Sequence, residues 1–319
     1  MGRQMSAGEK SATPIRVVCG IDVGGTRTKV GLVDASRPGR VMALDVFPTE
    51  RESEGAFYRG IAESVCRLVA QTGTRPVGAG VSIGSYVFSD GTIDGLSSMV
   101  PFLTHGHPLG QQMSVTLGLP VRVDNDARLI CMAEALAGEG RGFGRVLTLT
   151  LGTGIGFGLV EDGRLVEGEP RGHLAGHVCV RERDDDPWID ESPCYCGLEG
   201  CLEQTCSGTA LERVVHRVLG PAVTNKDLFQ RSVAGDPVAR RVVDRFLGYL
   251  LRALNQYVYL YCPDVIVLGG GVARGLESYV DRLQRGIVAE VYQGQHTELR
   301  VTRLREESGV IGAAGLVSN

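Results

Sequence analysis

The chain has 319 residues, a length for which two domains are expected rather than one core. Of these residues 43% are hydrophobic and 22% are charged, which is typical of an ordinary globular protein. Its formal net charge of −4 argues against a general attraction to nucleic acid or to an anionic membrane surface. The sequence contains no run of about 18 apolar residues, which argues against a transmembrane helix.

The amino-terminal residues 1–14 are polar and lack the apolar core of a signal peptide, so we expect a disordered tail and a cytoplasmic protein. Disulfides are rare in that reducing compartment, and a close cluster of cysteines there indicates a metal site first. We expect neither nucleic acid nor a membrane as a partner.

Residues 16–33 predict two strands that are joined by a turn containing Gly24 and Gly25. Glycines let the backbone approach a ligand closely, and backbone N–H groups at such a turn form an anion-binding concavity. Four side chains here suit phosphate or magnesium: Asp22, Thr26, Thr28 and Lys29. The spacing matches neither a Walker P-loop nor a dinucleotide-binding turn, and an ordinary hairpin is the alternative interpretation.

The next part of the chain alternates between strand and helix patterns. The predicted elements are a strand at 41–46, a helix at 57–68 that Gly73 ends, a strand at 77–83, a turn at 89–92, an irregular stretch at 95–110 and a short helix at 109–117. A meander followed by alternating helices and strands predicts α/β halves.

An acidic turn at residues 121–128 is the centre of the sequence. A short apolar strand ends there and a helix with apolar residues at helical spacing begins, with Asn125 and Asp126 at the junction and Gly138 as the stop signal. A carboxylate in this position is held by the elements on either side and stays open to a cleft. The alternative for Asp126 is a plain helix cap.

A second glycine turn follows the buried strand at 145–151, about 130 residues after the first turn. It joins two predicted strands and contains Gly152, Thr153, Gly154 and Gly156. One phosphate-cradling turn in each half of the chain is how a two-domain clamp would hold a triphosphate.

Four residues that bind zinc well lie close together after this turn: His177, Cys194, Cys196 and Cys201. Three thiolates and one imidazole make a closed, structural zinc site, and Gly197 and Gly200 let the chain fold back around the ion. Free buried thiols or a redox pair are the alternatives. A further cysteine, Cys206, lies just outside the cluster.

The last third of the chain predicts mostly helices. Thr209 and Glu212 have the spacing of a capping box, and Asp236 with Pro237 opens a long amphipathic helix. After a strand at 264–268, the turn Gly269, Gly270, Gly271 permits a close approach to a nucleotide base. Residues 309–317 predict a final helix of small residues.

Together these motifs resemble the ROK (repressor, ORF, kinase) family of sugar kinases, with glucokinase-like character, from about Val17 to Leu316. The resemblance rests on the two glycine turns, Asn125-Asp126, Gly176-His177, the cysteine signature that ends at Glu203, and Gly269-Gly270-Gly271. It implies an α/β actin-like, hexokinase-type ATPase fold with two domains around an interdomain cleft. It places residues 15–123 plus about 305–319 in a small domain and 124–304, with the zinc-binding loop, in a larger one.

The resemblance also implies the roles of several residues. Asp126 is expected to be the general base for a sugar hydroxyl, the 6-OH, that attacks the γ-phosphate of ATP with Mg²⁺. Asn125, His177 and Glu203 are expected to bind the sugar, while zinc stays structural and orders the sugar loop. A homodimer and packing of the carboxy-terminal helix on the first domain are further expectations.

Two departures from the family pattern fall on the sugar pocket. The family motif before the zinc-binding histidine carries a glutamate that holds a sugar hydroxyl, and this chain has Leu174 there. Where glucokinases often carry Asn-x-x-Gly-Trp, this chain has Ser97 and Ser98. Loss of a hydroxyl partner weakens discrimination, so we expect an acceptor that is glucose or a related or modified hexose. N-acetylmannosamine or another hexosamine is the alternative.

Two other classes of protein use the same family fold. Transcriptional repressors carry an amino-terminal helix-turn-helix domain, for which residues 1–14 leave no room before the first strand. A non-catalytic sugar-binding protein would not require Asp126 together with both phosphate turns. We therefore expect an ATP-dependent hexose kinase.

Overall fold

The computed structural model describes residues 15–95, 99–166, 172–180, 194–287 and 296–318. These residues form two α/β halves, each built on a five-stranded mixed sheet. The predicted tail at 1–14 lies outside them. Within these ranges, no helix is both long and apolar enough to cross a membrane.

The first half is a sheet with helices on it. Its elements are β1 (Val17–Val23), β2 (Arg27–Asp34), β3 (Val41–Pro48), α1 (Glu54–Thr72), β4 (Ala79–Ile83), β5 (Tyr86–Val87), β6 (Ile93–Asp94), α2 (Leu109–Leu117) and β7 (Val121–Asn125). The strand order is β3-β2-β1-β4-β7, and β5 and β6 form a separate small hairpin.

The second half begins at the predicted acidic junction. Its elements are α3 (Asp126–Ala137), β8 (Arg145–Leu151), β9 (Ile155–Glu161), β10 (Arg164–Leu165), a 3-10 helix (Gly172–His177), α4 (Leu202–Cys206), α5 (Gly208–Leu219), α6 (Asn225–Ala234), α7 (Pro237–Tyr261), β11 (Val265–Gly269), a second 3-10 helix (Ala273–Tyr279), α8 (Val280–Gly286), β12 (Glu298–Val301) and α9 (Ser308–Ser318). The strand order is β10-β9-β8-β11-β12.

The two sheets repeat one topology. In each, three antiparallel strands form a meander, and the first of them also pairs in parallel with a later strand, which pairs in parallel with a fifth. Each glycine turn therefore lies at the same place, between the first two strands of its sheet. This duplication brings the two turns into equivalent positions, which the sequence spacing alone only suggests.

Each half buries its own apolar core. In the first half, Ile21 of β1 and Ile61 of α1 are fully buried. In the second half, the apolar stripe of α7 packs on the sheet, and Phe246 and Leu254 are fully buried there with Leu149. The periodicity of α7 thus serves core packing, as such stripes usually do.

The carboxy-terminal helix α9 packs against the first sheet and against α3 of the second half. It contacts β1, β4 and α3 at backbone distance, because the facing positions are glycines. A Cβ atom at Gly20 or Gly80 would overlap a carbonyl oxygen of α9, and one at Gly312 would overlap the Leu129 carbonyl of α3. Only glycine allows this approach.

Most predicted helix ends agree with the structure. Asp236 caps α7 through the N–H groups of Val238 and Ala239, and Gly73 ends α1 with a φ of 68°. The predicted capping box at Thr209 is wrong. The cap of α5 is Ser207, whose side chain accepts from Ala210, because the chain reaches α5 directly from α4 and starts the helix earlier.

Candidate functional site

The junction between β7 and α3 opens into a cavity of about 530 Å³ between the two halves. Gly84 and Ser85, at the end of β4, line it from the first half, and Gly154 and Glu203 line it from the second. Asn125 and Asp126 lie where these walls meet. Ligands of open α/β sheets bind at such carboxyl ends of parallel strands.

Asn125 holds the start of α3. Its side-chain oxygen accepts from the backbone N–H groups of Ala127 at 3.0 Å and Arg128 at 3.4 Å, and its amide donates to the Ser85 carbonyl at 3.1 Å. The buried side chain thus fixes β7, α3 and the end of β4 together. One amide hydrogen remains for a ligand.

Asp126 is the first residue of α3, and its carboxylate faces the cavity. One oxygen, Oδ1, accepts from its neighbour Ala127 at 2.8 Å. The other lies so close to Gly84 that a Cβ there would stand 3.2 Å from it. Burial raises the pKa of Asp126, the Asp22 carboxylate raises it further, and the Ala127 hydrogen bond opposes both. The result is a basic carboxylate, suited to accepting a proton.

Asp22 lies at the end of β1, next to the first glycine turn. Ser82 donates to its Oδ1 at 3.1 Å, and Lys29 Nζ lies 3.6 Å from its Oδ2. Burial raises the pKa of Asp22, although Lys29 and Ser82 lower it. Lys29 also donates to the Glu306 carbonyl at 2.9 Å, so this predicted phosphate ligand is already engaged within the protein.

The first glycine turn is closed by backbone contacts. Gly24 donates to the Arg27 carbonyl at 3.1 Å, and Thr49 Oγ1 donates to the Gly24 carbonyl at 2.7 Å. Thr26 is exposed at the tip, and Gly25 packs near Met99. The prediction that Thr28 offers its hydroxyl to phosphate is wrong, because Thr28 is buried and hydrogen-bonds with Thr49.

The second glycine turn faces the same cavity. Gly152, Thr153, Gly154 and Gly156 all line it. A Cβ atom at Gly154 would lie 2.7 Å from Glu203 Oε2, and the Ile155 N–H donates to that same oxygen at 3.0 Å. Glu203 therefore stabilises the second glycine turn and also lines the cavity.

The triple glycine lies on the far side of this second turn. Gly270 has a φ of 84° and packs against the Leu151 backbone, and Val272 donates to the Leu151 carbonyl at 3.1 Å. Gly269 ends β11, and Gly271 lines another cavity of about 610 Å³ with Phe229 of α6. The second glycine turn thus lies between the two cavities.

The four predicted zinc ligands come together. The ligand atoms of His177, Cys194, Cys196 and Cys201 all lie within 4.8 Å of one another. His177 Nδ1 lies 3.5 Å from the Cys194 sulfur and 3.7 Å from the Cys201 sulfur. Tetrahedral zinc with ordinary bond lengths separates such nitrogen and sulfur ligands by about 3.6 Å, so the residues fit the ion.

The backbone around this cluster has the expected turns. Gly197 and Gly200 both have positive φ, at 80° and 68°. Cys206 lies outside the cluster, buried, with its sulfur 3.7 Å from the Phe246 carbonyl.

His177 connects the cluster with the cavity. Its other nitrogen, Nε2, lies 2.9 Å from the Tyr195 hydroxyl and 3.9 Å from Glu203 Oε2. The histidine ring therefore has one nitrogen toward the thiols and the other toward the cavity wall, and Tyr195 itself lines the cavity.

Two cavity residues escaped the sequence reasoning. Ser85 is buried and lines the cavity, and its hydroxyl has no hydrogen-bond partner among the described residues. Its position just after β4 was the available signal. Tyr195 stands between two metal-ligand positions, where only the folded loop shows that it reaches the cavity.

Three predicted substrate residues, His177, Leu174 and Ser98, are not among the residues that line the cavity. Leu174 is half-buried in the first 3-10 helix and does not belong to the described lining of the cavity. Ser98 lies outside the described residues.

Taken together, the arrangement suits transfer of a phosphoryl group to a hydroxyl. A basic carboxylate faces a cavity that both halves line, the second glycine turn borders this cavity, and a second cavity lies beyond that turn. Such chemistry depends mainly on positioning and on neutralising charge.

Comparison with known proteins agrees with this geometry. The model of the ROK family matches residues 18–319. The N-acetylgalactosamine kinase AgaK of Shewanella sp. (strain ANA-3) is 32% identical over 307 residues, which cover 92% of this chain and 94% of the relative. A glucokinase of Thermotoga maritima is 30% identical, with 93% and 96% covered. The crystal structure of a ROK hexokinase from Thermus thermophilus superposes with a TM-score of 0.80 at 32% identity, covering 93% of this chain and 96% of that one.

Proposed function

The chain belongs to the ROK family, and we propose that it is a sugar kinase that transfers the γ-phosphate of ATP to the 6-hydroxyl of a hexose or hexosamine. The observation that carries this proposal is the position of Asp126, whose carboxylate faces the cavity that both α/β halves enclose. The two named relatives phosphorylate a hexose and an N-acetylhexosamine, which supports this acceptor class.

In the proposed reaction, the oxygen of the sugar hydroxyl attacks the γ-phosphorus of ATP, and the bond from that phosphorus to the ADP oxygen breaks. Asp126 accepts the proton of the hydroxyl as the new bond forms. The raised pKa of Asp126 increases its basicity toward this proton. The hydrogen bond from Ala127 to Oδ1 fixes the carboxylate, so that Oδ2 is the oxygen that meets the hydroxyl.

The nucleotide would extend across the second glycine turn. Its base fits the cavity between Gly271 and Phe229, and its phosphates reach the N–H groups at Gly152 to Gly154. From the first half, Gly24, Gly25 and Thr26 face the terminal phosphate. Asp22 would hold magnesium directly or through water, and bound Mg²⁺ neutralises charge that develops on the phosphates.

The sugar would lie against the wall that Asn125, Ser85 and Glu203 form. The remaining amide hydrogen of Asn125 would supply a hydrogen bond to a sugar hydroxyl. His177 and the three cysteines would hold a structural zinc ion, which keeps His177 Nε2 and Glu203 aligned.

The acceptor is the finer part of the proposal. The chain lacks the hydroxyl-binding glutamate of the family pattern, since Leu174 stands at that position and does not line the cavity. Loss of that hydrogen bond favours glucose analogues with a missing, modified or inverted hydroxyl. The N-acetylgalactosamine kinase relative makes a hexosamine the second candidate. Family membership also supports a cytoplasmic location and a homodimer. Light scattering would test the homodimer.

The decisive experiment compares Asp126→Ala and Asp126→Asn with the wild type on a panel of hexoses, N-acetylhexosamines and polyols with ATP. We expect kcat to fall about 10²–10⁴-fold while sugar and ATP still bind. Asp244→Ala is the matched control, because Asp244 is an exposed residue of α7. Full sugar phosphorylation by Asp126→Ala would refute the assigned base, and binding without phosphorylation by the wild type would instead indicate a non-catalytic sugar-binding protein.

A further inference from the structure

A separate cavity of about 290 Å³ lies on the other face of β7. Val121 and Val123 pack into the first-half core, so the alternate residues Arg122 and Asp124 point the opposite way. Arg128 of α3 and Arg164 of β10 line the same cavity, and Leu316 of α9 closes it. None of these residues lines the main cavity.

The charges in this cavity are unbalanced, since three arginines surround one aspartate. Asp124 Oδ1 accepts from Arg128 Nε at 2.8 Å, so that pair is matched. Arg122 donates to the neutral Leu316 carbonyl at 3.3 Å. The guanidinium group of Arg164 has no ion-pair or hydrogen-bond partner in the described parts of the chain. Two positive charges are therefore left without a described anionic partner.

Converging guanidinium groups are the usual protein ligands of phosphate, because their N–H groups match its oxygens in pairs. The cavity volume is at the lower end of the range for small-molecule sites. Its wall is otherwise apolar, formed by Met132 and Leu316. A dianion with a small organic part satisfies both the charge and the wall.

The cavity also joins the two halves. Arg122 belongs to the first sheet and Arg164 to the second, so one anion would contact both. Asp124, which pairs with Arg128, also accepts from the Asn125 N–H at 2.7 Å, one residue before Asp126. Occupancy would therefore act on the contact between the two halves and on the Asp126 junction.

We infer that this cavity is a regulatory site for a phosphate dianion, either a small phosphate monoester or free phosphate. Arg122 and Arg164 bind the anion, and Arg128, held by Asp124, transmits its presence to the junction. No residue of this cavity lines the main cavity, so anion binding here does not depend on the proposed kinase activity.

Calorimetric titration of the full chain with inorganic phosphate and with glucose 6-phosphate, at constant ionic strength, tests the site. In Arg164→Gln and in Arg122→Gln we expect the dissociation constant of this component to rise at least about tenfold, as loss of a charged phosphate contact implies. Arg59→Gln, which changes an exposed arginine of α1, is the matched control and should bind as the wild type does.

The two ligands separate the two sources of the dianion. Tighter binding of glucose 6-phosphate that depends on Arg164 indicates a monoester site, and equal binding indicates a free-phosphate site. Glucose 6-phosphate binding that is independent of Arg164 belongs to the main cavity. Equal phosphate affinity in all three variants, or no saturable binding in the wild type, would overturn the inference.

Discussion

Asp22 and Asp126 are both buried, and the Asp22 charge acts on Asp126, so burial and mutual repulsion of the two carboxylates destabilise the folded protein. Burial and the Asp22 charge raise the pKa of Asp126, so the ionised carboxylate is less stable there than in the unfolded chain. A functional carboxylate in such a place usually trades stability for reactivity. The bound hydroxyl and the nucleotide's cation would relieve this cost during turnover.

Asp126→Asn should therefore stabilise the protein at neutral pH. Because the folded pKa of Asp126 is raised, the folded state holds its proton more tightly, and wild-type stability relative to the variant increases as the pH falls through that pKa. Thermal melting at several pH values should show a higher midpoint for Asp126→Asn near pH 7 and a narrowing gap on acidification. In a chain of this size, 1 kcal/mol corresponds to about 2–4 °C.

The control for this prediction is Asp244→Asn. Asp244 is an exposed carboxylate that pairs with Arg282, and exposed pairs contribute about 0–1 kcal/mol. Its removal should leave the midpoint unchanged or slightly lower at every pH. A midpoint for Asp126→Asn that is below the wild type near pH 7 would contradict the electrostatic account.

At this scale, sequence reasoning found residues whose role follows from local pattern. Asp126 stands out because a strand ends and a helix begins beside it, and the structure has that junction. The interpretation of Thr28 was wrong because its partner Thr49, which directly follows β3, is 21 residues away in the sequence. Ser85 and Tyr195 were missed because only tertiary packing shows that they face the cavity.

At the scale of elements, the cysteine cluster joins segments that have little regular structure. It lies between the first 3-10 helix and α4, whose N-cap is Cys201. Val180 donates to the Gly200 carbonyl at 3.0 Å, and Leu202 donates to the Val178 carbonyl at 2.9 Å. Glu203 follows directly in α4. A metal ion at the cluster would thus fix the residue that braces the second glycine turn.

Removal of zinc should accordingly destabilise the sugar side of the cavity. We expect metal analysis to find about one zinc per chain, and a chelator to lower the melting midpoint and raise the KM for sugar more than that for ATP. Cys201→Ser should lose the zinc and no longer respond to the chelator. Cys66→Ser, at an exposed cysteine of α1, should keep both the metal and the response. Absence of zinc from purified wild type would exclude the ligand assignment.

The order of the elements followed largely from the sequence, because strands, helices and glycine turns have local signatures. The cap of α5 did not, because Ser207 begins that helix only where α4 ends. The arginine-lined cavity could not be foreseen either. Arg122, Arg128 and Arg164 are scattered along the chain, and only the stacking of β7, α3 and β10 brings them together.

At the scale of the whole molecule, α9 is the piece that aligns the two carboxylates. It lies against β1, whose penultimate residue is Asp22, against β4, which leads to Gly84, and against α3, which begins with Asp126. At its start, a side chain at Gly309 would overlap the Asp22 carboxylate. Backbone contacts of this kind leave little freedom for relative movement.

Gly312→Ala should therefore disturb both stability and activity. Its Cβ would overlap the Leu129 carbonyl, so α9 and α3 must separate, and overpacking of this kind costs about 1–3 kcal/mol. Because α3 carries Asp126, we expect kcat to fall together with the melting midpoint. The matched control is Gly248→Ala in α7, where nothing lies within 4 Å of the added Cβ and the helix should gain about 0.5–1 kcal/mol. Thermal melting and kcat should be measured for both variants. A Gly312→Ala protein with wild-type values of both would show that the α9–α3 contact does not position the carboxylates.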